Sequence, residues 1–227
     1  MAASLGEHSG AVKYELLGVD NTLNRFNSMA EALNYGAESA KGNLLVFLHQ
    51  DIRFRQGGPE NLFTAALSLG KGDWLLGLFG ASAHGECTKE AGLTETENLD
   101  ECFICVPKDV CRKYRFNEEL CNGWHLYAVE LCIRVRRQGG KIYKGAFAID
   151  HLSNGTVNES YMQTFKKLIS EYKDEGQIAT TCKSMPTNLL YFEIYHFFWK
   201  IKKTVFGNYP LLYKIRVKMN EITEKDK

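Results

Sequence analysis

The sequence predicts an α/β fold, a sheet of buried strands covered by helices, on three observations. The first is Leu44-Leu45-Val46-Phe47-Leu48, five apolar residues without a polar break. Such a run is too short for a lone helix and suits a strand buried on both faces of a parallel sheet. The second is its abrupt stop at His49-Gln50-Asp51. In open α/β sheets, ligands bind just outside the carboxyl ends of the strands. The third is alternation: strand-like runs at 74–79, 102–106 and 141–149 are interleaved with helix start and stop signals.

In chain order, Val12 to Val19 reads as a strand with a polar exit at Asp20-Asn21. Ser28-Met29-Ala30-Glu31 is a capping box opening a helix to about Ala40, with Gly42 as its stop. With the 44–48 strand this makes strand–helix–strand, a right-handed crossover by default. Pro59 suits the first turn of a helix that runs to Leu69 and ends at Gly70. Trp74 to Phe79 is a strand. The polar, acidic stretch Ala81 to Asn98 reads as a long loop, of a length that is usually functional or mobile. Cys102 to Val106 is a short buried strand, and Pro107 starts a helical turn to Tyr114. Leu126 to Arg137 carries one broad apolar face and ends at Gly139-Gly140. Lys141 to Ile149 is a strand closing on Asp150-His151, Ser153 to Thr156 a flexible loop, and Glu159 to Lys173 an amphipathic helix. After Gly176 the character changes: Tyr191 to Lys203 is aromatic and basic, Gly207-Asn208-Tyr209-Pro210 breaks it, and a basic tail follows. The expected division is a main domain over 1–175 and a helical extension over 176–227.

The 227 residues are 44% hydrophobic, enough for one core with an appendage. A net charge of +1 gives no case for nucleic acid. No apolar run has the length of a membrane span, and Met1 to His8 lacks the features of a secretory signal. Seven scattered cysteines read as reduced thiols, so a cytoplasmic location is expected. Cys102-Phe103-Ile104-Cys105 has a metal-ligand spacing, but its apolar setting favours buried core thiols over zinc. Asn154-Gly155-Thr156 and Asn158-Glu159-Ser160 match glycosylation sequons and are read as chance.

His49 and Asp51, two apart at a strand end, point to the same side. That arrangement fits a metal–phosphate site, and it equally fits a polar turn closing a strand. Several ordered pieces decide how the chain is read further. Ser28 to Gly36, Ala40-Lys41-Gly42 and Val46 to Asp51 resemble the first half of the family 2 glycosyltransferases. Gly123-Trp124-His125-Leu126-Tyr127-Ala128-Val129-Glu130-Leu131-Cys132-Ile133-Arg134, Gly139-Gly140 and Asp150-His151 resemble the second half. The nearest branch carries His-Gln-Asp in place of Asp-x-Asp, and the resemblance covers about residues 12 to 175.

The resemblance implies a GT-A fold, a Rossmann-like, mixed but mostly parallel sheet flanked by helices. It implies a nucleotide-sugar donor such as a UDP-sugar, a Mn²⁺ or Mg²⁺ cofactor, and inverting transfer to a glycan or lipid-linked acceptor. Asp51 and His151 are then metal ligands, and His49 and Gln50 lie at the donor, with His49 expected on ribose or phosphate. For His151 an ordinary surface histidine is the alternative. Asp20 matches the acid that reads the base; a turn aspartate before Asn21 explains it as well. The acidic pair that family members place at the helix after Trp124 is here Tyr127 and Ala128. The base candidates are therefore His125, Asp100 and Glu130, with Glu101 beside them, and Glu130 has a plain alternative as an i,i+4 partner of Arg134. Val12 matches the family's second strand, so a strand and a helix are expected to be missing or replaced by Met1 to Ala11; a sheet without that strand has an open edge beside the donor site, unless another chain or segment fills the gap. A non-catalytic binding relative and a nucleotidyltransferase are the competing functions. The C-terminal aromatic and basic segment is compatible with peripheral membrane contact or with an ordinary docked helix, and homodimerisation stays open.

Overall fold

The structure, a computed structural model, describes residues 1–83, 89–90, 92–153 and 157–208, with the backbone alone for 89–90 and 205–208. The first sequon and the basic tail lie outside the described residues. In order the elements are α1 (Ala2–His8), α2 (Met29–Ser39), β1 (Leu44–Leu48), β2 (Ile52–Phe54), α3 (Gly58–Ser68), β3 (Trp74–Gly77), β4 (Gly80–Ala81), β5 (Lys89–Glu90), β6 (Leu93–Glu95) and β7 (Asn98–Leu99). Then come β8 (Phe103–Pro107), α4 (Lys108–Tyr114), α5 (Tyr127–Arg137), β9 (Lys141–Gly145), β10 (Ile149–His151), α6 (Glu159–Glu171), β11 (Gln177–Ile178), β12 (Met185–Pro186) and α7 (Leu189–Asn208).

The result is a mixed α/β fold. Its central sheet, among the described residues, has six strands in the order β1-β8-β3-β9-β6-β5. Helices α2, α4 and α5 bury one apolar cluster that includes Leu45, Leu75, Ile104 and Ile142. On the other face, α3 with β2 and β10 buries Leu62, Leu76, Phe103 and Ile149. A third cluster joins α5, α6 and α7 through Ile133, Phe165 and Phe192. The 28–31 capping box forms in a shifted version: Ser28 Oγ accepts from Glu31 N at 3.1 Å, and the Glu31 carboxylate reaches back to Asn27 N at 2.7 Å.

Five expectations need correction. Val12 to Val19 forms no strand: Tyr14, Leu16, Leu17 and Val19 are exposed, and Glu15 instead accepts from Lys41 N and Gly42 N beyond α2. No crossover therefore leads into β1. The segment before Val12 makes α1, which packs on β2 and α3 through Met1 and Leu5. Strand β1 is only partly buried on its two faces, Leu45 and Phe47 meeting the first cluster and Leu44, Val46 and Leu48 the second. It sits at the sheet margin, antiparallel to β8, with Leu45 its one fully buried residue. Among the described residues no strand pairs with the outer edge of β1. The parallel share of the sheet is confined to β3–β9; the other pairings are antiparallel.

The stretch read as a loop over 81–98 contributes strands instead. Leu93 and Leu99, both nearly inaccessible, anchor β6 against β9 and β7 against β4. One apolar residue per short strand left no period to read. The single strand expected over 141–149 is two strands in two sheets. At Gly145 a side chain would strike the Phe147 ring and Leu93, so the chain bends there and β10 leaves to pair with β2. The segment after 176 packs on the rest of the chain: Asn98 donates to the Ala179 carbonyl at 2.9 Å, and Phe192 lies in the third cluster.

Candidate metal centre

The β1–β8 ladder continues one residue past β1, with His49 N donating to Cys102 O at 3.0 Å. The chain then turns, Ile52 N donating back to His49 O, and becomes β2. Because β2 pairs with β10, His151 lies opposite Ile52, and Leu152 N donates to Asp51 O at 3.1 Å. Two sheet ends a hundred residues apart in sequence thus meet at one turn. His151 Nε2 is 3.4 Å from Asp51 Oδ2, and the His49 and His151 rings are 6.1 Å apart between centroids. His49, Asp51 and His151 each offer a ligand atom, all within 4.8 Å of one another.

The local chemistry suits a cation. Ser153, by hydrogen bonding, holds the Asp51 carboxyl below its usual range against the opposing effect of burial, and His151 and His49 add to the lowering. Asp51 Oδ1 is nevertheless buried and accepts no hydrogen bond. A buried carboxylate oxygen without a donor is costly unless something else satisfies it. Burial lowers the His49 pKa, so its ring is neutral near pH 7 and available as a ligand. Tyr127 Oη donates to Glu101 O at 3.2 Å and lies 3.1 Å from His49 Nε2. Tyr127 Oη therefore sits between the Glu101 carbonyl and the His49 ring and holds the ring's orientation. A carboxylate with two imidazoles is a donor set that Mn²⁺ accepts and that suits Mg²⁺ less well.

Two acids border this cluster with opposite electrostatics. Burial pushes Asp100 up, but hydrogen bonds from Thr181 Oγ1 and Cys102 N outweigh it and hold the carboxyl below its usual value. Glu101 is pushed up to about 8, by burial first and by the Asp100 charge second, although the N–H groups at the start of α5 face it. Its Oε1 is buried without a partner. Near pH 7 the pair is therefore one carboxylate and one carboxylic acid. Asp100 is electrostatically coupled to both His49 and His151. His125 is half-buried, with its pKa lowered by burial and then by His49, and its ring sits 5.8 Å from Tyr161.

The sequence candidates thus divide. Asp51, His151 and His49 converge on one candidate cation site. Asp100 and His125 border the cluster, and Gln50 is exposed in the turn. Glu130 is not positioned as a base. It is fully buried, and its oxygens accept from Arg134 Nε and Nη2 at 2.7 Å, Tyr172 Oη at 2.8 Å and Asn117 Nδ2 at 3.1 Å. The i,i+4 reading is the observed one. Asp20 ends no strand. It is exposed and caps its own turn, accepting from Thr22 N at 2.8 Å and Thr22 Oγ1 at 3.1 Å. Tyr127, Ser153 and Thr181 were not among the candidates. In the sequence Tyr127 stands only as a residue in place of an acid, and Thr181 and Ser153 reach the cluster solely through tertiary folding. Cys102 and Cys105 are buried free thiols whose pKa burial raises strongly, as read from their apolar setting.

No protein-family model matches the chain. It is similar to a protein of Fuscovulum blasticum named ATP synthase subunits region ORF 6, 22% identical over 154 residues. That match covers 59% of this chain and 61% of the relative, so the chain spans less than two thirds of the relative's length.

Proposed function

We propose that this chain is a metal-dependent, inverting glycosyltransferase that takes a nucleotide-sugar, in the first instance a UDP-sugar, and passes the sugar to a glycan or lipid-linked acceptor. The observation that carries the reading is the convergence of His49, Asp51 and His151 at two strand ends, with the orphaned Asp51 Oδ1 among them. These three residues would hold Mn²⁺ or Mg²⁺. When bound, such a cation offsets the charge that grows on a diphosphate leaving group. Asp100, kept ionised beside the cluster, is the group best suited to take the proton of the acceptor hydroxyl. His125, neutral near pH 7, is the second choice. Glu101 stays protonated next to them, the separation of pKa values that acid–base pairs require.

One observation favours a second reading, a relative that binds nucleotide-sugars without turnover. Tyr127 and Ala128 occupy the start of α5, and residues 12–19 add no strand to the sheet. Titration of UDP-sugars into the purified chain with and without Mn²⁺, followed by assay of nucleoside diphosphate release, separates the readings. Under the first, Mn²⁺-dependent binding and turnover both occur, and Asp51→Ala abolishes both. An unchanged nucleotide affinity in Asp51→Ala sinks the metal-site reading. Binding without turnover supports the second, and pyrophosphate release points to nucleotidyl transfer.

A further inference from the structure

Helix α7 is apolar on two opposite sides. On one, Phe192, Tyr195 and Trp199 pack into the third core cluster beside α6. On the other, Leu190, Ile194, Phe197, Phe198 and Ile201 recur at helical spacing and are 44–71% exposed. A stripe of that length runs about 16 Å along the helix. Single exposed apolar residues are ordinary, but a contiguous aromatic and aliphatic stripe marks an interaction site.

The charges around the stripe are one-sided. Both acids near it are neutralised: Glu193 pairs with Lys166, and Glu159 pairs with Lys200 and His196. Lys202, exposed beside Phe198 on the helix surface, has no ion-pair partner among the described residues. The Lys203 ammonium lies over the Trp199 ring at 5.0 Å. No described helix is long and apolar enough to cross a membrane. Apolar width, the flanking Lys202 and neutralised acids beside the stripe among the described residues together describe a helix that lies in the plane of an anionic bilayer surface, its aromatics in the acyl boundary and Lys202 at the headgroups.

We infer that α7 docks this protein peripherally on anionic lipid through Leu190, Ile194, Phe197, Phe198 and Ile201, with Lys202 at the headgroup level. The segment leading into α7 carries Thr181, whose hydroxyl donates to Asp100. The docking helix and the edge of the candidate centre therefore belong to one stretch of chain. If the glycosyltransferase reading holds, a lipid-linked acceptor would approach along the surface on which α7 lies. The docking itself does not depend on that reading.

The test is flotation of the full chain with vesicles of phosphatidylcholine containing one-third phosphatidylglycerol, against vesicles of phosphatidylcholine alone. Binding is expected on the anionic vesicles and weaker at high salt. The double substitution Phe197→Glu, Phe198→Glu is expected to lower it at least about tenfold with an unchanged melting temperature, because both side chains already face solvent. Lys202→Gln lowers it less, and Leu67→Glu, an exposed apolar site on α3, leaves it unchanged. A wild-type chain that stays off both vesicle types overturns the inference, as does a Phe197→Glu, Phe198→Glu chain that floats as well as wild type. A concentration-dependent dimer in light scattering, dissolved by that double substitution while vesicles are ignored, overturns it in favour of a second copy. None of these outcomes involves Mn²⁺ or a nucleotide, so failure here and failure of the metal-site reading are distinguishable.

Discussion

At the scale of the residue, the centre depends on which proton each donor carries. His49 is neutral because burial disfavours its cation, and its ring is held by the Tyr127 hydroxyl, which also reaches Glu101 O. Tyr127→Phe removes that hydroxyl and nothing else of the ring. We expect Mn²⁺ affinity, measured by calorimetric titration, to fall about tenfold or more, as it does when a partner of a ligating histidine is lost. The accompanying loss of stability should be only about 1 kcal/mol, the net worth of a hydrogen bond. An unchanged Mn²⁺ affinity would mean that His49 is not a ligand. The His49–Asp51 pair was legible in the sequence because alternation along a strand end puts the two on one side. Tyr127 was not, since a tyrosine at the start of a helix has no signature of what it touches across the fold.

At the scale of the element, the centre is positioned by β10 leaving one sheet to pair with β2. The departure needs α3 to lie close under the chain that joins β9 to β10. Gly58 opens α3 at that contact, and a Cβ there would come within 2.5 Å of the Ala148 carbonyl oxygen. The clash is with backbone, which cannot rotate away. Gly58→Ala should therefore destabilise the protein by roughly 1–3 kcal/mol, the usual range for overpacking, seen as a lower midpoint in urea unfolding. A midpoint equal to wild type would show that the 148 region moves freely. The sequence announced the helix through Pro59, but it could not show that Gly58 is needed for a long-range approach rather than as a helix start.

At the scale of the whole molecule, stability carries the imprint of a buried acid. The unfolded Glu101 carboxyl titrates near its ordinary value of 4.5, the folded one near 8. Between those values the unfolded chain has released a proton that the folded chain keeps. Folding thus becomes less favourable as pH rises through that window, and the penalty levels off above it, on the order of several kcal/mol at its largest. Glu101→Gln abolishes this contribution. Melting temperatures should be nearly equal for the two proteins near pH 5, with the variant pulling ahead toward pH 8. A difference that stays constant with pH would place Glu101 in contact with solvent in the folded state. The sequence by itself determined the α/β class, most helices through their caps, prolines and glycines, and the polar stop after β1, because these are written in local spacing. The tertiary structure alone decided that residues 12–19 stay out of the sheet, that Lys89–Glu90 and Leu93–Glu95 join it, that Glu130 is a buried partner of Arg134, and that His151 returns to Asp51. Each of those outcomes turns on which distant segment supplies the missing hydrogen bonds and apolar surface, a property no local pattern contains.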